Sequence, residues 1–324
     1  MSESGDFDPG VWTGYDFGAA RKSYDVHVGR SYDDAVSSGK SASELLEDRL
    51  KTNSESPLVI ACDVTGSMGE WPAVIFSKLP YLELEGKEYL GETMEISFAA
   101  VGDAYSDNYP LQVRKFAKGK DLEKRLKELV IEGNGGGQTS ESYDLAALYY
   151  ARNVDMPKAI KPIFIFIGDE GLYEHIDKAQ AKEWARTDVE GRLSTPQVIK
   201  ELQAKYSVYL VRKMYGSDSG DGMSGDNRRI GKQWEEYLGA DHIAILPKAD
   251  RVVDVIFGIL AKETGRIDYF RKEITDRQTD AQVRTVMKSL HTIHELPNVS
   301  RKKLRGGSMM RGDDDDNGTS KSLL

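Results

Sequence analysis

Two uninterrupted apolar runs, each leading into an aspartate, constrain this chain more than any other feature. LVIAC (58–62) runs into Asp63, and IFIFI (163–167) runs through Gly168 into Asp169. Runs that are apolar at every position, rather than at alternate ones, suit strands covered on both faces, as in a parallel sheet. Parallel strands bring their C-terminal ends to one edge, where open α/β sheets bind their ligands. Asp63 and Asp169 are therefore expected on a shared edge.

Helical and strand patterns alternate around these runs. Glu70–Leu84 reads as a helix with Trp71, Val74 and Ile75 inward and Pro72 in its first turn. Met94–Val101 is a strand. Leu111–Phe116, reached through a short turn, alternates as a half-buried strand and is expected to pair antiparallel with it. Further helices are expected over Asp121–Ile131, from Ser140, and near Glu174–Ala185, Pro196–Tyr206, Arg228–Leu238 and Asp250–Thr264. Strands are expected at Ser207–Val211 and His242–Leu246. The order predicts an α/β, Rossmann-like, doubly wound and mostly parallel sheet with one antiparallel edge strand.

This core is expected to occupy residues 57–265. Residues 1–56 read as an N-terminal arm rich in Gly, Ser, Asp and Tyr, closed by a short helix that Ser43 would cap. Residues 266–299 read as a C-terminal helical extension with a break at Thr279, and 300–324 as a disordered tail. Within the core, GSDSGDGMSGD (216–226) is a loop without the ligand spacing of an EF-hand.

Composition narrows the function classes. A formal net charge of −9 argues against a general nucleic-acid binder and leaves room only for local basic patches. No apolar run approaches the ~18 residues of a membrane span, and MSESGDFDPG lacks the apolar stretch of a signal peptide. The single cysteine, Cys62, lies inside the first apolar run, as a small buried hydrophobe would. A soluble, cytoplasmic protein that contacts neither membrane nor nucleic acid is expected.

The chemistry sits just past the apolar runs. Asp63-Val-Thr65-Gly-Ser67 offers one carboxylate and two hydroxyls on a single turn, an all-oxygen set suited to a hard cation. The glycine-rich segment GNGGGQT carries Thr139 in a loop able to approach a ligand closely, and Asp169 ends the second run. These three motifs, in this order, resemble a von Willebrand factor A (VWA) domain with a metal-ion-dependent adhesion site (MIDAS). The match runs through Asp63-Val-Thr65-Gly-Ser67, Gly137-Gln-Thr139 and Gly168-Asp169-Glu170. The resemblance covers about residues 57–265.

The resemblance implies Thr65 and Ser67 as direct ligands of Mg²⁺, with Mn²⁺ or Ca²⁺ as further options. Thr139 would bind directly or through water, and Asp63 and Asp169 mainly through bridging waters. It also implies a non-enzymatic protein-binding module whose partner supplies an Asp or Glu to complete the metal's coordination, within a larger complex or a homo-oligomer. Two positions depart from the family pattern. Thr65 replaces the commoner serine and keeps the hydroxyl. Glu170 stands where many members have glycine, and its carboxylate can tighten metal binding or repel an acidic partner.

Two other readings compete. DVTGS also resembles the nucleophile segment of haloacid dehalogenase-type phosphatases and phosphotransferases, with Asp63 as nucleophile and Asp169 as magnesium ligand. Against it, Thr65 stands where soluble members carry a second aspartate, and Thr139 has no place in that scheme. The third reading is a structural assembly subunit that oligomerises through its terminal extensions.

Overall fold

The computed structural model describes residues 42–297, apart from 70, 127, 131, 133–138 and 216–223. The arm at 1–41, the tail at 300–324, Gly137 and Gln138, and most of the 216–226 loop therefore lie outside the described residues. Among the described residues six strands form the main sheet: β1 (Pro57–Asp63), β2 (Glu95–Val101), β3 (Leu111–Val113), β4 (Ile163–Gly168), β5 (Ser207–Arg212) and β6 (Ile243–Ile245). Their spatial order is β3-β2-β1-β4-β5-β6, and every neighbouring pair is parallel except the antiparallel β2–β3. The fold is thus the expected doubly wound α/β sheet with one antiparallel edge strand. Strand order reverses between β1 and β4, which makes the gap beyond their C-terminal ends the topological switch point.

Each central strand divides its side chains between two apolar layers. Leu58, Ile60 and Cys62 of β1 and Ile163, Ile165 and Ile167 of β4 face one layer; Val59, Ala61, Phe164 and Phe166 face the other. The period of two explains why these strands must be apolar throughout. The first layer is completed by α1 (Trp71–Leu90), α2 (Lys120–Leu126), α7 (Val252–Glu263), α8 (Ile267–Arg277) and α9 (Asp280–Ser289). The second is covered by α3 (Tyr143–Arg152), α4 (Lys178–Trp184), α5 (Thr195–Gln203) and α6 (Gly225–Leu238). Tyr149 and Tyr150 of α3 are fully buried there, their hydroxyls bonded to the Glu47 carbonyl and to Ser97.

Where elements differ from expectation, tertiary partners claim the backbone first. The residues after Ser43 form only a 3₁₀ turn, Ala42–Leu45, because Leu50–Lys51 pairs with Val154–Asp155. The helix expected through Ile131 stops at Leu126, since the Gln112 side chain bonds both the N–H and the carbonyl of Val130. The helix expected from Ser140 begins at Tyr143, because Ser140–Glu141 pairs with Gly171–Leu172. The helix expected near Glu174 begins at Lys178: His175 bridges to Ser194, and the Asp177 side chain accepts from Gln180 N.

The break at Thr279 is real, with a reciprocal Thr279–Gln282 capping box starting α9. Phe270, Ile274, Val286 and Leu290 join the same apolar layer as β1 and α7. Among the described residues no helix is long and apolar enough to cross a membrane.

Leu290 sits directly on the backbone of α7; a Cβ built at Gly258 would lie 2.1 Å from Leu290 Cδ1. Leu290→Ala should therefore destabilise the whole domain by roughly 2–5 kcal/mol. Urea denaturation followed by tryptophan fluorescence would check this, and a change under about 0.5 kcal/mol would mean that α9 packs only loosely.

Candidate functional site

The sheet register sets the site. Cys62 pairs with Ile167, and Asp63 ends β1 as Asp169 follows the last residue of β4. Past β1 the chain makes a 3₁₀ turn, Gly66–Met68, so Thr65 and Ser67 fold back over the strand end. The result is two hydroxyl–carboxylate pairs set side by side. Thr65 donates to Asp63 Oδ1 from its backbone N–H (2.8 Å) and its hydroxyl (2.5 Å). The Thr65 and Ser67 hydroxyls are 3.3 Å apart, and Ser67 Oγ donates to Asp169 Oδ1 at 2.9 Å. Asp63 and Asp169 are fully buried.

Thr139 reaches the same edge by another route. Pairing of Ser140–Glu141 with Gly171–Leu172 brings its carbonyl to Gly171 N, at 3.0 Å. Its hydroxyl, however, accepts from Arg229 of α6 rather than joining the Thr65 and Ser67 hydroxyls. The structure thus brings Asp63, Thr65, Ser67 and Asp169 into bonded contact and sets Thr139 beside them, engaged elsewhere.

Tyr143, Lys213 and Arg229, not singled out in the sequence, complete the site. Tyr143, the first residue of α3, donates its hydroxyl to Asp63 Oδ2 at 2.6 Å, and its ring is flanked by Phe166 and Trp234. Ser142 fixes that helix start: its N–H donates to Gly102 O, and its Oγ accepts from Ala104 N at the end of β2. Lys213, one residue past β5, donates Nζ to Asp169 Oδ2 at 2.8 Å. Arg229 holds Thr139. The available signals were positional, since Tyr143 opens the helix after the glycine loop and Lys213 follows a strand at the same edge. Asp103 and Asp107 close a capped turn, with Asp103 accepting from Tyr105 N, Ser106 and the Tyr173 hydroxyl.

Gly168 exists to let Tyr143 through. Position 168 shares strand parity with Phe164 and Phe166, so a side chain there would point under α3. A Cβ would meet the Tyr143 hydroxyl at 1.7 Å and Cζ at 2.6 Å.

The electrostatics are those of a site short of positive charge. Burial, and then the neighbouring Asp169, push the Asp63 carboxyl up to about 7, against the bonds from Thr65 and Tyr143. Burial, followed by Asp63 and Asp169, lifts Glu170 to about 8; burial, followed by Asp63 and Glu170, lifts Glu141 to about 12. Glu141 Oε2 and Glu170 Oε2 are buried without a hydrogen-bond partner. Among the described residues no three His, Cys, Asp or Glu side chains form a metal-holding group. The donor set here is of another kind, two aspartates with two linked hydroxyls, all oxygen. Those donors suit a hard divalent cation.

The structure defines the class as a doubly wound α/β domain with an acidic, hydroxyl-lined site at its switch point. No family model matches the sequence, and no curated protein matches it. Among solved structures the chain is similar to the pilus adhesin SpaC of Lactobacillus rhamnosus GG, with a TM-score of 0.48 and 10% identity over 68% of this chain and 32% of that one. The open conformation of the same adhesin gives 0.46 and 10% over 70% and 31%. The chain thus spans about a third of the adhesin's length.

Two outcomes follow from this geometry. Gly168→Ala should destabilise the fold by ~3 kcal/mol or more, because the added methyl must displace Tyr143 from a packed interior; equilibrium unfolding measures it. The raised carboxyl values have a definite sign. Between the unfolded values near 4 and the folded values of about 7 and 8, the native state holds protons that the unfolded chain has lost. Stability is then fully present below pH 4 and falls as pH rises through 7–8. The thermal midpoint in chelator should decline from pH 5 to 8.5; a rise over that interval would contradict the assignment.

Proposed function

We propose that this chain is a divalent-cation-dependent protein-binding module of the VWA type, with a MIDAS-like site and no catalytic turnover. One observation carries the reading: side chains from the ends of two neighbouring parallel strands converge at the switch point, where the Thr65 hydroxyl bonds Asp63, the Ser67 hydroxyl bonds Asp169, and the two hydroxyl oxygens stand 3.3 Å apart. Mg²⁺ is the proposed ion, with Mn²⁺ or Ca²⁺ as alternatives for the same oxygen set. Thr65 and Ser67 would hold it through their hydroxyls, Asp63 and Asp169 would hold its waters, and Thr139 would contribute once released by Arg229. When bound, the ion supplies an electrophilic position that an Asp or Glu of a partner protein can occupy, and exclusion of water by the partner strengthens that contact.

The chain's own residues prepare this. Tyr143 and Thr65 fix the orientation of Asp63, and the Phe166–Trp234 packing around Tyr143 keeps water from that side. The same contacts disfavour Asp63 as a nucleophile, because both of its oxygens accept hydrogen bonds and it has no exposed surface. A lone buried thiol, Cys62, fits a reducing compartment such as the cytoplasm.

Titration calorimetry of Mg²⁺ into chelator-stripped protein tests the reading. Saturating Mg²⁺ at pH 8 should raise the thermal midpoint by roughly 5–10 °C, the shift expected at a hundredfold excess over Kd. Asp63→Ala and Ser67→Ala should abolish both the heat and the shift. An equal response in wild type and both variants would refute the site. The response should also weaken at pH 5.5, where protons compete for Asp63.

A further inference from the structure

Pairing of β4 with β5 continues one residue beyond Gly168↔Arg212, as the Lys213 N–H donates to the Gly168 carbonyl at 3.0 Å. That register sets Lys213 beside Asp169. Its ammonium donates to Asp169 Oδ2 and to the Ser67 carbonyl, each at 2.8 Å, and approaches the Met214 carbonyl at 3.3 Å. Ser67 Oγ holds the other oxygen of Asp169. Both oxygens of this aspartate are therefore engaged, one of them by a fixed positive charge. The lysine side chain is 16% exposed and the Asp169 side chain 0%. A lysine kept for solubility would extend into water; this one is folded inward onto the site.

We propose that Lys213 is a tethered counter-ion that competes with the divalent cation for Asp169 and thereby sets the affinity of the site. The inference rests on the cation-binding reading above. A dication and the ammonium draw on the same carboxylate, and their like charges repel at close range. Loading therefore requires Nζ to leave Asp169 Oδ2, while the Ser67 and Met214 carbonyls remain within its reach as acceptors. The wild-type site is held partly neutralised and binds the ion weakly. Removing the ammonium leaves the carboxylate free and the site hungrier for a cation.

The test is titration calorimetry of MnCl₂ and MgCl₂ into the chelator-stripped full chain, comparing wild type, Lys213→Met, Lys213→Arg and Ser67→Ala. Lys213→Met keeps the length and apolar stem but removes the charge. It should bind either ion about tenfold more tightly or better, Lys213→Arg should stay near wild type, and Ser67→Ala should not bind. In chelator Lys213→Met should unfold at a lower temperature than wild type, and Mn²⁺ should reverse that loss. Unchanged or weaker affinity in Lys213→Met, or an unaltered midpoint in chelator, would overturn it while wild-type binding kept the cation-binding reading intact. If neither wild type nor Lys213→Met binds, the cation-binding reading falls and this inference with it. Should Lys213→Met fail to unfold cooperatively, Lys213→Gln is read by the same criteria.

Discussion

The hydrogen bond from Tyr143 to Asp63 is the contact on which the rest of the site depends. It joins the end of β1 to the start of α3 across the face of β4, and every group nearby is arranged around it. Gly168 has no side chain because the tyrosine occupies that space. Phe166 and Trp234 pack on the ring, and Trp234 Nε1 in turn donates to the Glu170 carbonyl, fixing the chain just past Asp169. A fully buried carboxylate with one oxygen on a tyrosine and the other on a threonine has a single allowed orientation. Thr65 and Ser67 are then placed by the same turn that satisfies Asp63.

The two ends of the sheet handle charge differently. At the N-terminal end several polar groups are paired, although the buried Tyr206 hydroxyl finds no partner among the described residues: Glu263 accepts from Ser207 and Tyr209, Lys161 donates to the Glu263 carbonyl, and Lys262 donates to the Ile293 carbonyl. At the C-terminal end Asp63, Asp169, Glu170 and Glu141 crowd together, three of them with carboxyls pushed up by burial and by one another, and Lys213 is bonded to Asp169. Crowded buried carboxylates weaken a fold, so their concentration at one edge is the mark of a site rather than of a core. Stability is supplied by the apolar layers, which leaves the C-terminal edge free to carry conflict.

The layers of the fold were legible in the sequence because a strand apolar at every position has few alternatives, and the intervening helices carry their own periodicity. Asp63 and Asp169 were legible for the same reason: they are the first polar residues after such strands, and parallel pairing forces them onto one edge. Tyr143, Lys213 and Arg229 were not. A tyrosine at a helix start reads as packing, and Tyr149 and Tyr150 on the same helix are indeed packing. What separates Tyr143 from them is the register of β1 against β4, which no local pattern carries. The shortened helices after Ser43 and after Lys120 were missed for a related reason, since a distant strand or a glutamine side chain satisfied the backbone first.

The state of Thr139 shows how such an edge can respond to an ion. Its carbonyl is anchored to Gly171 by the short parallel pairing, so the residue stays near the site whatever its side chain does. Its hydroxyl is held by Arg229, a guanidinium half in solvent on the rim. Lys213 does for Asp169 what Arg229 does for Thr139: each candidate ligand is bonded to a basic side chain from the β5–α6 side of the sheet. On the proposed reading, an ion would displace two positive groups that otherwise repel it, and Arg229 on the rim would then be free to meet the proposed acidic partner. In such an arrangement the cost of freeing the two bases would oppose the bare ion, while an arriving carboxylate would gain from both the ion and the released Arg229. Ion and partner would then bind cooperatively, each raising the other's affinity by the same factor.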